Sequence, residues 1–173
     1  SSTGEKEPTD INELANEYLR LSYHGLRAKD KSFNADFKIE TDDNLEKISV
    51  VPGDVGRVLL NLINNGFYAA DEKKRELNQK GVNDFLPSVI VKTHATNSGV
   101  KITVRDNGKG IPTSIQNKIF QPFFTTKPTG KGTGLGLSMS YDIITKGHNG
   151  RLEVKSKPGE FTEFEIFIPK NES

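Results

Sequence analysis

Between Pro52-Gly53 and Gly81 the chain carries one helical stripe, in which Val55, Val58, Leu59, Leu62, Ile63, Phe67 and Ala70 recur at helical spacing. A helix from about Asp54 to Lys80, stopped at Gly81, can bury that stripe only against another layer of structure. That layer lies on both sides of it in the sequence. Val89 to Thr96 and Val100 to Arg105 alternate around Asn97-Ser98-Gly99 as a hairpin, and Gly150 to Ser156 with Phe161 to Ile168 close a second one across Lys157-Pro158-Gly159. Phe33 to Glu40, with Phe33, Ala35, Phe37 and Ile39 on one side, and Ile48 to Val51 add two strands. Ahead of them Ile11, Leu14, Ala15, Tyr18, Leu19, Leu21 and Leu26 form a first helix behind an N-cap at Thr9 or Asp10. Pro112 to Ile119 reads as a short helix and Leu135 to Lys146 as the last long one. Helices interleaved with hairpins, rather than with single parallel strands, predict an α+β fold, a two-layer sandwich whose mixed, mostly antiparallel sheet carries its helices on one face.

A chain of 173 residues can bury a full core as one domain, here expected over residues 9–170, with a polar, Pro-containing segment 1–8 disordered and 171–173 a tail. Twenty-four basic against 23 acidic residues, with no basic stripe, argue against a nucleic-acid partner. No apolar run has the length of a membrane span. The absence of cysteine excludes disulfides and Cys-ligated zinc, and the three histidines are too far apart for a metal cluster, which together fits a cytoplasmic protein.

Four stretches carry candidate chemistry. Gly130, Gly132, Gly134 and Gly136 run into the last long helix, so that free N–H groups and the positive end of the helix dipole suit a phosphate; the other reading of such a loop is a plain linker. Neither a Walker A sequence nor a dinucleotide fingerprint is present. On the long helix Asn61 and Asn65 share one face, and Gly66 costs that helix roughly 1 kcal/mol relative to Ala, so something compensates. The pair reads either as a solvated polar face or as side-chain oxygens offered to a hard cation such as Mg²⁺. Asp106-x-Gly108-x-Gly110 is either a turn or a carboxylate placed to accept from an exocyclic amine. Phe120-Gln-Pro-Phe123-Phe124-Thr-Thr-Lys127 is either a loop packed on the core or the aromatic anchor of a lid with Lys127 near phosphates.

In order and spacing, Asn65, Asp106-x-Gly-x-Gly110, Phe120 to Phe124 and Gly132-x-Gly-x-Gly136 resemble the N, G1, F and G2 boxes of the catalytic and ATP-binding domain of sensor histidine kinases, in the GHKL superfamily with gyrase B, Hsp90 and MutL. The resemblance covers about Ile11 to Lys170 and implies the Bergerat ATP-binding fold, with ATP between the long helix, the sheet and a mobile lid. Carried over by position, Asp106 is the adenine-reading carboxylate, Gly108 and Gly110 shape the base pocket, and Asn65 coordinates Mg²⁺ with Asn61 one turn earlier; these two asparagines are the catalytic candidates. Lys127, Gly132, Thr133, Gly134, Leu135, Gly136 and Leu137 would surround the phosphates, with Lys127 to Thr133 mobile without nucleotide. Thr162 matches a threonine near the adenine. Three departures are Phe161 where the family shows Gly, Gly66 where Ala is usual, and Tyr68 where Asp or a basic residue is common.

In ATPases of the superfamily a Glu at the Asn61 position activates water, and an amide is no base at neutral pH. The resemblance therefore implies slow hydrolysis and transfer of the γ-phosphate to a partner histidine. His24, His94 and His148 lack the setting of an acceptor. The implied partners are a dimerisation and phosphotransfer domain of the same kinase and, downstream, a response regulator. The alternatives are a GHKL ATPase, a serine kinase of the anti-sigma type, or a docking module that binds no nucleotide.

Overall fold

The computed structural model describes residues 4–124 and 136–170. The main sheet has five strands in the order β2 (Asp36–Glu40), β4 (Ser88–Ala95), β5 (Gly99–Asp106), β7 (Phe161–Pro169) and β6 (Arg151–Lys157). Only the β2–β4 pair is parallel. Helices α1 (Ile11–Lys29), α2 (Pro52–Gln79) and α3 (Gly136–His148) pack on the sheet, so the expected α+β sandwich is the observed one.

Period-two alternation decides which face they cover. Val89 and Val91 of β4, Ile102 and Val104 of β5, Phe164 and Ile166 of β7 and Leu152 of β6 are buried with the α2 stripe in one core. The opposite face carries charge, with Arg105 set 3.6 Å from Glu163 and Lys101 3.8 Å from Glu165 across the β5–β7 ladder. A sheet hydrophobic on one side and charged on the other can take helices on one side only.

Helix ends follow local chemistry. The Asp10 carboxylate accepts from the Glu13 N–H at 3.1 Å, which makes Asp10 the N-cap of α1. Thr9 belongs instead to a strand. Residues Glu7–Thr9 (β1) pair antiparallel with Ile48–Val50 (β3) in a separate two-stranded sheet, which corrects the expectation of disorder up to residue 8. Composition misses this because the pairing is a backbone matter: β3 has no place in the main sheet, and its edge takes whatever chain runs beside it. Pro52 opens α2, two residues before the expected start near Asp54, since its fixed φ suits the first helical turn and no donor is lost there. The short helix is a 3₁₀ turn, Thr113–Lys118, and the strand expected from Phe33 begins at Asp36.

His148 closes α3 and is buried. Its Nε2 lies 3.1 Å from the backbone N of Val51, which can only donate, so Nε2 accepts. The proton therefore sits on Nδ1, which donates to the Ile143 carbonyl at 2.9 Å. One side chain thus ties the end of α3 to the start of α2. His148→Ala leaves the Val51 N–H buried without an acceptor and should cost about 1–3 kcal/mol before any cavity contribution; urea denaturation of the two proteins measures it, and equal midpoints would remove the tie from the account of stability.

Candidate functional site

At the end of the inward face nearest the α2 midpoint, the apolar rows give way to a polar one. Val89 of β4 is in register with Asp106, Asp106 with Thr162 of β7, and Thr162 with Ser156 of β6. Asp106 is 4% exposed and Thr162 equally buried. The Asp106 carboxylate accepts from the Gly108 N–H at 2.8 Å. Burial pushes its pKa up from 3.8 to about 7 against the opposing pull of that N–H and of Arg105 and Lys73. A carboxyl group poised near neutrality and held by a backbone donor is a natural acceptor for an amine. Ser156 completes the row: its hydroxyl donates to the Phe161 carbonyl at 2.8 Å, accepts from the Ile111 N–H at 2.7 Å, and lies 3.3 Å from the Thr162 hydroxyl.

The loop after Asp106 is fixed from two sides. A side chain at Gly108 would lie 2.8–2.9 Å from Ala69 of α2, and Gly110 takes a left-handed φ of +73° with its Cα against the Lys157 carbonyl. Both glycines are thus required by packing of the loop between α2 and the β6–β7 turn. Lys109 reaches Glu76 at 2.6 Å and Glu72 at 3.2 Å on α2, and Lys73 donates to the Gly159 carbonyl at 2.8 Å. These clamps hold Asp106 from behind.

The second half of the site runs along α2 toward α3. The Asn61 amide donates to the Ser140 hydroxyl at 3.2 Å, and a side chain at Gly136 would come within 2.6 Å of Asn61 Oδ1. The first turn of α3 therefore lies directly against Asn61, with Leu137 half-buried beside it. Asn65, half-buried, lies one turn along α2, immediately before Gly66, whose Cα faces Asp106. Gly66 and Asn61 are separated by about 7.5 Å of helix rise, of the order of the span from a nucleoside's base edge to its first phosphates.

Asp106, Gly108, Gly110 and Thr162 thus group beside the middle of α2, while Gly136 lies against Asn61 earlier on the same helix, with Asn65 between. Lys127, Gly132, Thr133, Gly134 and Leu135, and with them the expected mobility of Lys127 to Thr133, lie outside the described residues. Of the aromatic stretch, Phe120 packs on Tyr141 and Phe164 at ring distances of 5.2 and 6.2 Å and Phe124 is partly buried on the core, while Phe123 is 73% exposed. Phe161 sits on the outer face, under the Arg105 guanidinium at 3.8 Å, so its bulk stays out of the pocket. Ser140 and Ser156 escaped the sequence reading. Ser156 could have been found from its alternation with Leu152 and Val154; nothing local marks Ser140.

A model of the family described as histidine kinase-, DNA gyrase B- and HSP90-like ATPase matches residues 51–172. The chain belongs to this family. It is 33% identical to the sensor histidine kinase ZraS of Escherichia coli K12 over 162 residues, 94% of this chain and 30% of ZraS. It is 34% identical to the histidine-protein kinase AtoS of the same organism over 163 residues, 93% of this chain and 23% of that one. It spans less than a third of the length of these two relatives. Among solved structures, a nucleotide-free form of the catalytic domain of histidine kinase ThkA superposes with a TM-score of 0.73 at 28% identity, covering 96% of both chains.

Because the native state holds the Asp106 proton to about pH 7 and the unfolded chain only to about 3.8, folding stability contributed by this group falls as pH rises between those values. The loss is on the order of 4 kcal/mol once pH is above 7. Asp106→Asn should therefore gain stability over the wild type as pH is raised from 4 to 7.5, read as a widening gap between urea midpoints. A constant gap would mean that the carboxyl titrates normally.

Proposed function

We propose that this chain binds Mg²⁺-ATP and, within a longer sensor kinase, passes the γ-phosphate to a histidine on a dimerisation domain, which in turn serves a response regulator. The observation that carries this reading is the continuity of the site: a buried carboxylate beside Gly66 at one end of an α2 face, the first turn of α3 against Asn61 at the other, and Asn65 between. Asp106 reads the adenine amine, with Thr162 beside it in the same row. The backbone N–H groups at the start of α3, including those of Gly136 and Leu137, face the phosphates. Asn65 would hold the cation by its side-chain oxygen, and a cation there would supply positive charge to the phosphates. Lys127 and the glycines Gly132 and Gly134, with Thr133 and Leu135, belong to the same phosphate-facing segment in this reading.

The transfer is a displacement at phosphorus, in which an imidazole nitrogen forms a bond as the β–γ bridging oxygen departs with ADP. The protein's part is positioning and electrostatics. Asn61 favours transfer over hydrolysis, because its amide is engaged with Ser140 and supplies no base for water. No described helix is long and apolar enough to cross a membrane, and the domain is proposed to act on the cytoplasmic side.

Calorimetric titration with ADP and a non-hydrolysable ATP analogue, with and without Mg²⁺, tests the reading. Asn65→Ala should abolish most of the Mg²⁺ dependence of triphosphate binding, and an unchanged dependence would take Asn65 out of the metal site. Since an ionised carboxylate is the stronger acceptor for the amine, ADP affinity of the wild type should rise with pH and level off above about 7. A flat profile from pH 6 to 8 would remove Asp106 from base recognition.

A further inference from the structure

Ser156 stands on β6, the edge strand of the main sheet, and follows Leu152 and Val154 on its inner face. A hydroxyl has one proton and two lone pairs. Here the proton goes to the Phe161 carbonyl at 2.8 Å, and one lone pair takes the Ile111 N–H at 2.7 Å. Both bonds are short and both partners are backbone, so together they fix where the second lone pair points. That lone pair is what Ser156 has left for Thr162, whose hydroxyl oxygen lies 3.3 Å away. Between the two hydroxyls Thr162 is therefore the donor. Among the described residues Ser156 is the one hydrogen-bond partner of the Thr162 side chain. Thr162 is buried and in register with Asp106, so its proton has no bulk water to turn to.

We propose that Ser156 is a positioning residue for base recognition: by taking the Thr162 proton it presents Thr162 to the pocket as an acceptor, so that the row beside Asp106 favours an exocyclic amine over a carbonyl. This rests on the reading of Asp106 and Thr162 as the edge that meets the base. A threonine hydroxyl free to rotate serves either kind of base, accepting from the amine of adenine or donating to the carbonyl that hypoxanthine carries in its place. Held by Ser156, it serves only the amine. Ser156 itself touches no base in this account. Removing its hydroxyl therefore widens what the pocket admits and does not weaken what it already holds. A purely structural role predicts the opposite pattern, because a loosened Ile111 backbone would disturb the loop after Asp106 and weaken every nucleotide alike.

The experiment is calorimetric titration of the chain with ADP and IDP at about pH 8, where the Asp106 carboxyl is mostly ionised, alongside thermal unfolding of each variant. Ser156→Ala should bind IDP about fivefold more tightly than the wild type, the scale of one neutral hydrogen bond gained, with ADP affinity unchanged. Ser156→Thr, which restores the hydroxyl, should return the wild-type preference. Unchanged IDP affinity in Ser156→Ala, or equal weakening of both nucleotides, overturns the inference. If Ser156→Ala does not fold, Thr162→Val carries the test, since it keeps the branched shape without the hydroxyl. Where only an acceptor is lost, ADP should weaken about fivefold and IDP stay as it was; an equal change in the two, or none in either, overturns the inference. Asp106→Asn separates the two levels. Loss of the adenine preference there, with no gain of IDP in Ser156→Ala, leaves the base reading standing and sinks only the role of Ser156. A wild type that binds neither nucleotide or both alike, or a full preference kept in Asp106→Asn, sinks both.

Discussion

The site depends on the desolvation of one carboxyl group. Asp106 continues the inward row of β5 after Val104, at a register position where alternation demands an apolar residue, and the sheet cannot turn it out without breaking its ladder with Thr162. Placed there it loses water, and its proton is held to about neutrality. The fold bears that cost because the surrounding loop is over-determined: the Gly108 N–H, the Lys109 pairs with α2 and the packing of Gly110 on the β6–β7 turn all act within the four residues after the strand. Exposed ion pairs such as those of Lys109 contribute little singly. Their value here is geometric, since they join the loop to the helix that forms the opposite wall.

That helix is the common reference for both ends of the site. Its apolar stripe is buried in the core, while Asn61 and Asn65 are half-buried and Gly66 is buried against Val89 and Asp106 of the sheet. Two polar contacts fix α3 to it, from His148 to the Val51 N–H and from Asn61 to Ser140, eight residues apart on α3. Hydrogen bonds between buried partners contribute modest net stability but are costly to leave unmade, so they favour one docking of α3 over neighbouring ones. Among the described residues, the position of the first turn of α3 is thus tied to α2.

Much of this was legible in the sequence because the relevant signals are local. The α2 stripe, the two hairpins, the Asp10 cap and the stop at Gly81 each depend on a few neighbouring residues, and each came out within a few positions of the expected one. Asn61, Asn65, Asp106 and Thr162 are singled out by spacing and resemblance, and the structure shows where they stand. What failed, failed for want of local signal. The β1–β3 pair joins segments some forty residues apart by backbone hydrogen bonds that no side-chain pattern announces. Ser140 and His148 look unremarkable on a helix until the partner across the interface is known, and Phe161, which stands where the family shows Gly, occupies the outer face of its strand.

By itself, then, the sequence determined which segments are helix and strand, which faces they bury, and which side chains have the chemistry to hold a base, a cation and a phosphate chain, because periodicity, turn residues and functional groups are properties of neighbouring residues. Only the tertiary structure decided that Asp106 is dry, that Gly66 faces Val89 and Asp106, and that Asn61 meets the first turn of α3. Burial, close approach and hydrogen-bond partnership are relations between segments far apart in the chain, and they exist only once the layers have closed.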